Sequence, residues 1–315
     1  MVNLTIGGGN FKGIAYLGAL EYLHKNNLIN NIDNFYGTSV GSIIGSFFLI
    51  GYTPFEILKF ILDLNLEDYW DFNLTNIDKK YSLISDTLFI KFKDLFSKKE
   101  NVDITFKEFY EKTNINLNIF ATSLTNRKNI CFNAETYPDL KIITAVQASS
   151  SIPLIFPPVI INDEYYVDGC MKCVDGICSK YVCTNDDTIH FIIKGNYNNK
   201  KINSFLDYLS EVINSTLQNE ELIDTEYTIK IQIQKEYTNK FNFNDIKKSD
   251  KLKLYHLGLT QAKEKFNHKI DYLLEKINKE YKNNKKEPEK ELILDKTKEP
   301  KKDTEQDTEQ DTEQL

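Results

Sequence analysis

The sequence lacks a surplus of basic residues. Its 39 Lys and Arg stand against 46 Asp and Glu, a net charge of −7, so no broad basic face is available and nucleic acid is not expected as a partner. Long apolar runs are also missing. The longest, Ile43 to Tyr52, is too short to cross a bilayer, so no transmembrane segment is expected. The opening Met1-Val2-Asn3-Leu4-Thr5 has no positive stretch followed by an apolar one, and no signal peptide is read there. Cysteine is scarce, with five in 315 residues, an odd number that suits reduced thiols in the cytoplasm better than a disulfide framework. Hydrophobic content of 41% and aromatic content of 12% are still enough for a sizeable core.

The chain is organised around Asn34 to Gly51, where Gly37-Thr38-Ser39-Val40-Gly41 fits the pattern G-x-S-x-G. Phe35 and Tyr36 suit the end of a strand, and Ile43, Ile44, Phe47 and Phe48 suit a buried helix. A serine at such a junction turns sharply, and flanking glycines keep side chains out of the bend, so that its hydroxyl stands clear of the backbone. A serine alcohol is a weak nucleophile and needs a base and donors for the oxyanion it generates.

Upstream, Val2 to Ile6 alternates as a strand, Gly7-Gly8-Gly9-Asn10-Phe11-Lys12-Gly13 forms a loop, and Ile14 to Lys25 has helical spacing. The loop is not a dinucleotide fingerprint, because Lys12 or Asn10 occupies a required glycine. It is not a phosphate-binding G-x-x-x-x-G-K loop either, because Lys12 precedes Gly13. What remains is a glycine-rich turn with free N–H groups at a helix N-terminus, a fit cradle for an anion. Strands at Asn116 to Thr122, Asn129 to Phe132, Val159 to Val167 (turning at Asn162-Asp163), Thr188 to Ile193 and Thr228 to Gln234 are interleaved with helical stretches. These include one opened by Pro54 and capped by Thr53, then Leu140 to Ala148 and Ile202 to Leu217. The alternation predicts an α/β fold with a mainly parallel sheet covered on both faces. The Pro54 helix is apolar nearly all round, which suits a core helix or a lid touching lipid. A stripe from Leu252 through Tyr255, Leu259, Ala262 and Phe266 to Ile277 predicts a long closing helix. The expected domain is 1–285; residues 286–315 are charged, repeat Asp-Thr-Glu-Gln three times, and are expected to be disordered.

Further on come Ala148-Ser149-Ser150-Ser151-Ile152-Pro153, Phe156-Pro157-Pro158 and Val167-Asp168-Gly169. With the glycine loop and the elbow, in this order and over roughly Val2 to Ile193, these stretches resemble the patatin-like phospholipases. The resemblance implies a three-layer α/β/α fold, a Ser–Asp dyad with no histidine, and acyl hydrolysis of lipid esters without a cofactor or metal. Carried over, Ser39 is the nucleophile and Asp168 its base, in the Asp-Gly pair with Gly169. Gly8, Gly9 and Asn10 line the oxyanion hole, Lys12 and Gly13 support the loop, and Gly37 and Gly41 frame the elbow. Asn10 departs from the family, which has glycine there, although Asn tolerates positive φ better than most residues. The implied partners are a lipid substrate and, transiently, a membrane surface.

Alternatives stay open. Asp168-Gly169 also reads as an ordinary turn. A Ser-Asp-His triad would use His190, the one histidine suitably placed. Weak or absent catalysis with lipid binding retained is a further reading, prompted by Asn10. Cys170, Cys173, Cys178 and Cys183 have C-x2-C-x4-C-x4-C spacing and could hold zinc in an interaction module.

Overall fold

The computed structural model describes residues 2–69, 75–173, 177, 182, 188–195, 202, 205–216, 226–234, 237 and 246–284. The chain divides into two compact units, Met1–Lys269 and Ile270–Leu315. The first carries the sheet and the site. In the second, the description covers only helical backbone to Asn284, so the expected tail lies outside the described residues.

Eight strands form one sheet in the order β5-β6-β3-β2-β1-β7-β8, with β4 beside β3. They are β1 (Val2–Ile6), β2 (Ile32–Thr38), β3 (Asn116–Ser123), β4 (Lys128–Phe132), β5 (Val159–Ile161), β6 (Glu164–Asp168), β7 (Thr188–Gly195) and β8 (Thr228–Ile233). The pairs β3–β2–β1–β7–β8 are parallel, while β4, β5 and β6 join antiparallel, giving a mixed, mainly parallel α/β sheet. The hairpin between β5 and β6 turns at Asn162 and Asp163, both at positive φ, as Asn and Asp permit.

Alternation along the strands sorts the core onto two faces. Phe35, Ile119, Ala121 and Phe191 join the main core, with helices α1 (Ile14–Lys25), α2 (Val40–Leu49) and α7 (Ile142–Ser149). Tyr36, Phe120 and Ile192 face the other way, against a smaller cluster with Cys173, Ile177 and Val182. Helix α3 (Pro54–Asp63) starts from a Thr53–Glu56 capping box, as the Thr53-Pro54 signal suggests. It is packed through Pro54, Ile57 and Leu58, while Phe55 stays exposed. After α4 (Thr75–Lys80), itself absent from the sequence reading, two more helices missing from it follow, α5 (Thr87–Phe96) and α6 (Phe106–Thr113). The second has a Thr105–Glu108 capping box, a T-x-x-E signal visible in the sequence.

After α8 (Phe205–Thr216), the closing helix α9 runs Lys248–Asn284. Its buried side in the first unit is Leu254, Tyr255, Gly258, Ala262 and Phe266, and Leu252, expected to begin the apolar stripe, is exposed. The shift has a packing cause. Gly258 lies against Ala15 and Gly18 of α1 against Tyr255, so closely that a Cβ on either glycine would overlap the opposing backbone. Two small residues fix the crossing point, and the face follows from it.

Candidate active site

Ser39 sits where β2 gives way to α2, at φ 53 and ψ −127. A non-glycine residue in that backbone state is strained and persists only where its surroundings hold it. Three serines do so. The Ser39 N–H donates to Ser149 Oγ at 2.9 Å, and Ser149 Oγ donates on to the Phe120 carbonyl. The hydroxyls of Ser42 and Ser150 donate to the Ser39 carbonyl at 2.7 and 3.2 Å. Gly41 is required by close approach, since a Cβ there would lie 2.1 Å from the Ile6 carbonyl oxygen. Gly37, the other elbow glycine, pairs with Ile6 and Ile119 in the parallel register.

The Ser39 hydroxyl donates to Asp168 Oδ2 at 2.6 Å across 129 residues of chain. Asp168 ends β6, opposite Ala121 of β3, and is held by its N–H on the Ser151 carbonyl. Its Oδ1 accepts the Cys170 N–H at 2.8 Å, so Gly169 and Cys170 turn around the carboxylate. Asp168 is only 4% exposed. Burial raises its pKa above the usual carboxylate range, against hydrogen bonds from Ser39 and Cys170 that lower it. A carboxylate made more basic by desolvation and touching a serine hydroxyl is a candidate proton acceptor.

The glycine loop lies beside this pair. Gly8 has no room for a side chain, because a Cβ would stand 2.0 Å from Cys170 Sγ and 3.4 Å from Ser39 Cβ. Tyr16 of α1 donates its hydroxyl to the Gly8 carbonyl at 2.9 Å and so orients that peptide. Gly9 precedes a short 3-10 turn, Asn10–Gly13, in which the Lys12 N–H bonds the Gly9 carbonyl and Gly13 packs against Val40 of α2. The left-handed position of the loop falls on Asn10, at φ 55. The Asn10 carboxamide oxygen accepts the Phe11 N–H at 2.7 Å, whereas its Nδ2 is buried without a partner.

Cys170 enters the site as well. Its sulfur meets the Gly8 N–H, the Ser39 hydroxyl and the Asp168 carboxylate, and burial followed by the Asp168 charge pushes its pKa well above normal. It is therefore a neutral thiol near pH 7. Sequence reasoning considered this residue as a zinc ligand or a plain thiol and overlooked it, with Ser149, Ser150 and Tyr16, as part of the site. The three serines of Ala148–Ser151 were the available signal. The zinc and reduced-thiol expectations meet a correction at Cys173, which is disulfide-bonded and so offers no thiolate. Cys178 and Cys183 lie outside the described residues, among which no metal-ligating cluster occurs. His190 is buried in β7, at the register of Thr5 and Thr228, and the Ser39 hydroxyl is engaged by Asp168 instead.

Next to Ser39 opens a cavity of about 120 Å³, lined by Ile14, Val40, Ile43, Leu88, Phe89 and Phe156 among others. Nearly all of its wall is hydrocarbon, as a site for an aliphatic chain would be.

The fold is thus a mainly parallel α/β sheet that presents an elbow serine against a buried aspartate. The chain belongs to the patatin-like phospholipase family, whose model matches residues 4–172. It is 37% identical over 176 residues to a probable lipid hydrolase, 463L, of Invertebrate iridescent virus 6, covering 53% of this chain and 58% of that protein. It is 29% identical over 170 residues to triacylglycerol lipase 5 of Saccharomyces cerevisiae, covering 49% of this chain and 22% of the yeast protein. The chain thus matches a little over half of one relative and about a fifth of the other. Among solved structures, VipD from Legionella pneumophila shares the fold with a TM-score of 0.53 at 15% identity, over 85% of this chain and 67% of that one. Among the described residues no helix is long and apolar enough to cross a membrane.

Proposed function

We propose that the protein is a serine lipid acyl hydrolase that cleaves carboxylic esters through an acyl-enzyme. The observation that carries this is the 2.6 Å contact between Ser39 Oγ and Asp168 Oδ2 at the mouth of an apolar cavity. Ser39 Oγ attacks the ester carbonyl while Asp168 takes its proton. The resulting oxyanion is taken up by the N–H groups of Gly9 and Asn10, joined by that of Gly8 as it is released from the Cys170 sulfur. Its collapse expels the alcohol, which receives the proton from Asp168, and leaves the acyl group on Ser39. Water then attacks the acyl-enzyme with Asp168 again accepting the proton, releasing fatty acid and restoring the serine. The family's phospholipase name and the names of two relatives, a lipid hydrolase and a triacylglycerol lipase, support a lipid ester as substrate. The enzyme works in the cytoplasm in this reading and meets its substrate by transient contact with a membrane surface.

The test is a lipid hydrolysis panel of phospholipid, galactolipid and triacylglycerol, run with labelling by an active-site-directed fluorophosphonate. Wild type labels and hydrolyses at least one lipid. Ser39→Ala does neither while keeping its melting temperature. Labelling that persists in Ser39→Ala would sink the assignment. Absence of labelling in a folded wild type would favour a protein that binds lipid without catalysis.

A further inference from the structure

Among the described residues that line the cavity beside Ser39, one has a charged side chain, Lys251. This lysine, from the first turn of α9, is only 6% exposed. Its ammonium donates to the carbonyls of Ile61 at 2.8 Å and Leu64 at 3.2 Å, where α3 ends. Among the described residues no carboxylate pairs with it. Asp63, close by in sequence to both carbonyls, lies 3.8 Å from Lys248 at the surface instead.

An ammonium carries three N–H donors, and two are engaged here. A charge buried without a counter-charge is costly, and two neutral carbonyls at the negative end of a helix offset only part of that cost. Capping a helix C-terminus does not explain the placement, because an exposed lysine caps as well without being desolvated. Position in the wall of the apolar cavity beside Ser39 is what a capping role leaves over. The same burial, followed by repulsion from Lys248, lowers the Lys251 pKa, the mark of a cation short of an anion.

We propose that Lys251 is the anion-recognising residue of this cavity, so that the protein selects lipids bearing an anionic oxygen group, phosphate or carboxylate, over neutral acylglycerols. The consequence for substrate choice rests on the hydrolase reading of Ser39; the binding itself does not. Apolar walls with a single cation hold an amphiphile by both its parts. The helices explain how the two groups meet. Ser39, Val40 and Ile43 at the start of α2, and Ile61 and Leu64 at the end of α3, line one space, so α3 folds back and brings Lys251's acceptors to the nucleophile's end of α2.

The experiment titrates full-length Ser39→Ala protein with octyl phosphate, octanoate and octan-1-ol by calorimetry, then repeats it with Lys251→Met and Lys251→Arg added. At least one anion should bind about tenfold tighter than octanol or better. That preference should collapse in the Met variant and persist in the Arg variant, with octanol affinity little changed throughout. Octyl phosphate ahead of octanoate identifies a lipid headgroup as the source of the anion; the reverse order identifies a fatty-acid carboxylate. If Lys251→Met does not fold, Lys251→Gln keeps donors for the carbonyls while dropping the charge, and the same collapse is required of it. An undiminished preference in the uncharged variant overturns the proposal and moves the anion to the glycine-loop N–H groups. No anion preference in the parent overturns it as well. Wild-type hydrolysis of a monoacylglycerol phosphate against the matching monoacylglycerol is the separate arm. If neither is cleaved the hydrolase reading fails, while the calorimetry still decides Lys251.

Discussion

Replacing Asn10 probes the one residue of the oxyanion loop that holds a left-handed backbone. At φ 55 any L-residue pays a steric penalty, roughly 1–2 kcal/mol, and a β-branched residue tolerates the state worst. Valine would also remove the bond from the Phe11 N–H to Asn10 Oδ1, adding about 0.5–1.5 kcal/mol. Asn already meets part of the steric penalty, so the two terms bound the cost of Asn10→Val at about 1.5–3.5 kcal/mol, a fall in melting temperature of at most roughly 3–14 °C. Where the loop relaxes to escape the strain, its N–H groups turn away from the oxyanion. Turnover should then fall at least about tenfold, equivalent to about 1.4 kcal/mol at the transition state. Asn10→Gly works in the other direction. It relieves the backbone and removes the buried, unpartnered Nδ2, at the expense of the same single hydrogen bond, so turnover is kept or raised. Initial rates on a soluble p-nitrophenyl ester, with calorimetric melting of all three proteins, decide the matter. A valine variant that matches wild type in both rate and melting temperature would refute an oxyanion hole built on Gly8 to Asn10.

Asp168→Asn should abolish turnover yet melt higher than wild type near pH 7. Burial raises the folded pKa above the unfolded one, so ionising Asp168 costs the fold stability as pH rises between the two values; the advantage of Asn should therefore vanish on acidification, and a pH-independent difference would contradict this. Cys170→Ala removes a thiol donor that lowers the Asp168 pKa, so the acid limb of kcat/KM should move to higher pH; an unmoved limb would leave Cys170 without influence on the base. His190→Ala should retain most of the activity, and a loss of several orders of magnitude in folded protein would restore the Ser-Asp-His alternative.

What the sequence determined by itself is what depends on neighbours along the chain. The G-x-S-x-G elbow, the Thr53-Pro54 helix start, the Asn162-Asp163 turn and Asn10 as a residue suited to positive φ are all local, because each backbone state is set within a few residues. The order of the glycine loop, the elbow, the Ala148–Pro158 segment and the Asp168-Gly169 pair was enough to reach the family. The missed helices α5 and α6 alternate apolar with lysine-rich positions, and only the Thr105-x-x-Glu108 box marked one of them. The face of α9 was displaced because its contact with α1 is chosen by Gly18 and Gly258, and a hydrophobic period carries no record of such a crossing. The tertiary structure alone decided which distant groups meet. Register in the β3–β6 pair brings Asp168 to Ser39 and swings Cys170 against Gly8, and the return of α3 along α2 sets the buried Lys251 in the same cavity as Ser39. Side chains 129 or more residues apart share no local signal, because their meeting is fixed by strand pairing and packing density rather than by the preferences of either segment.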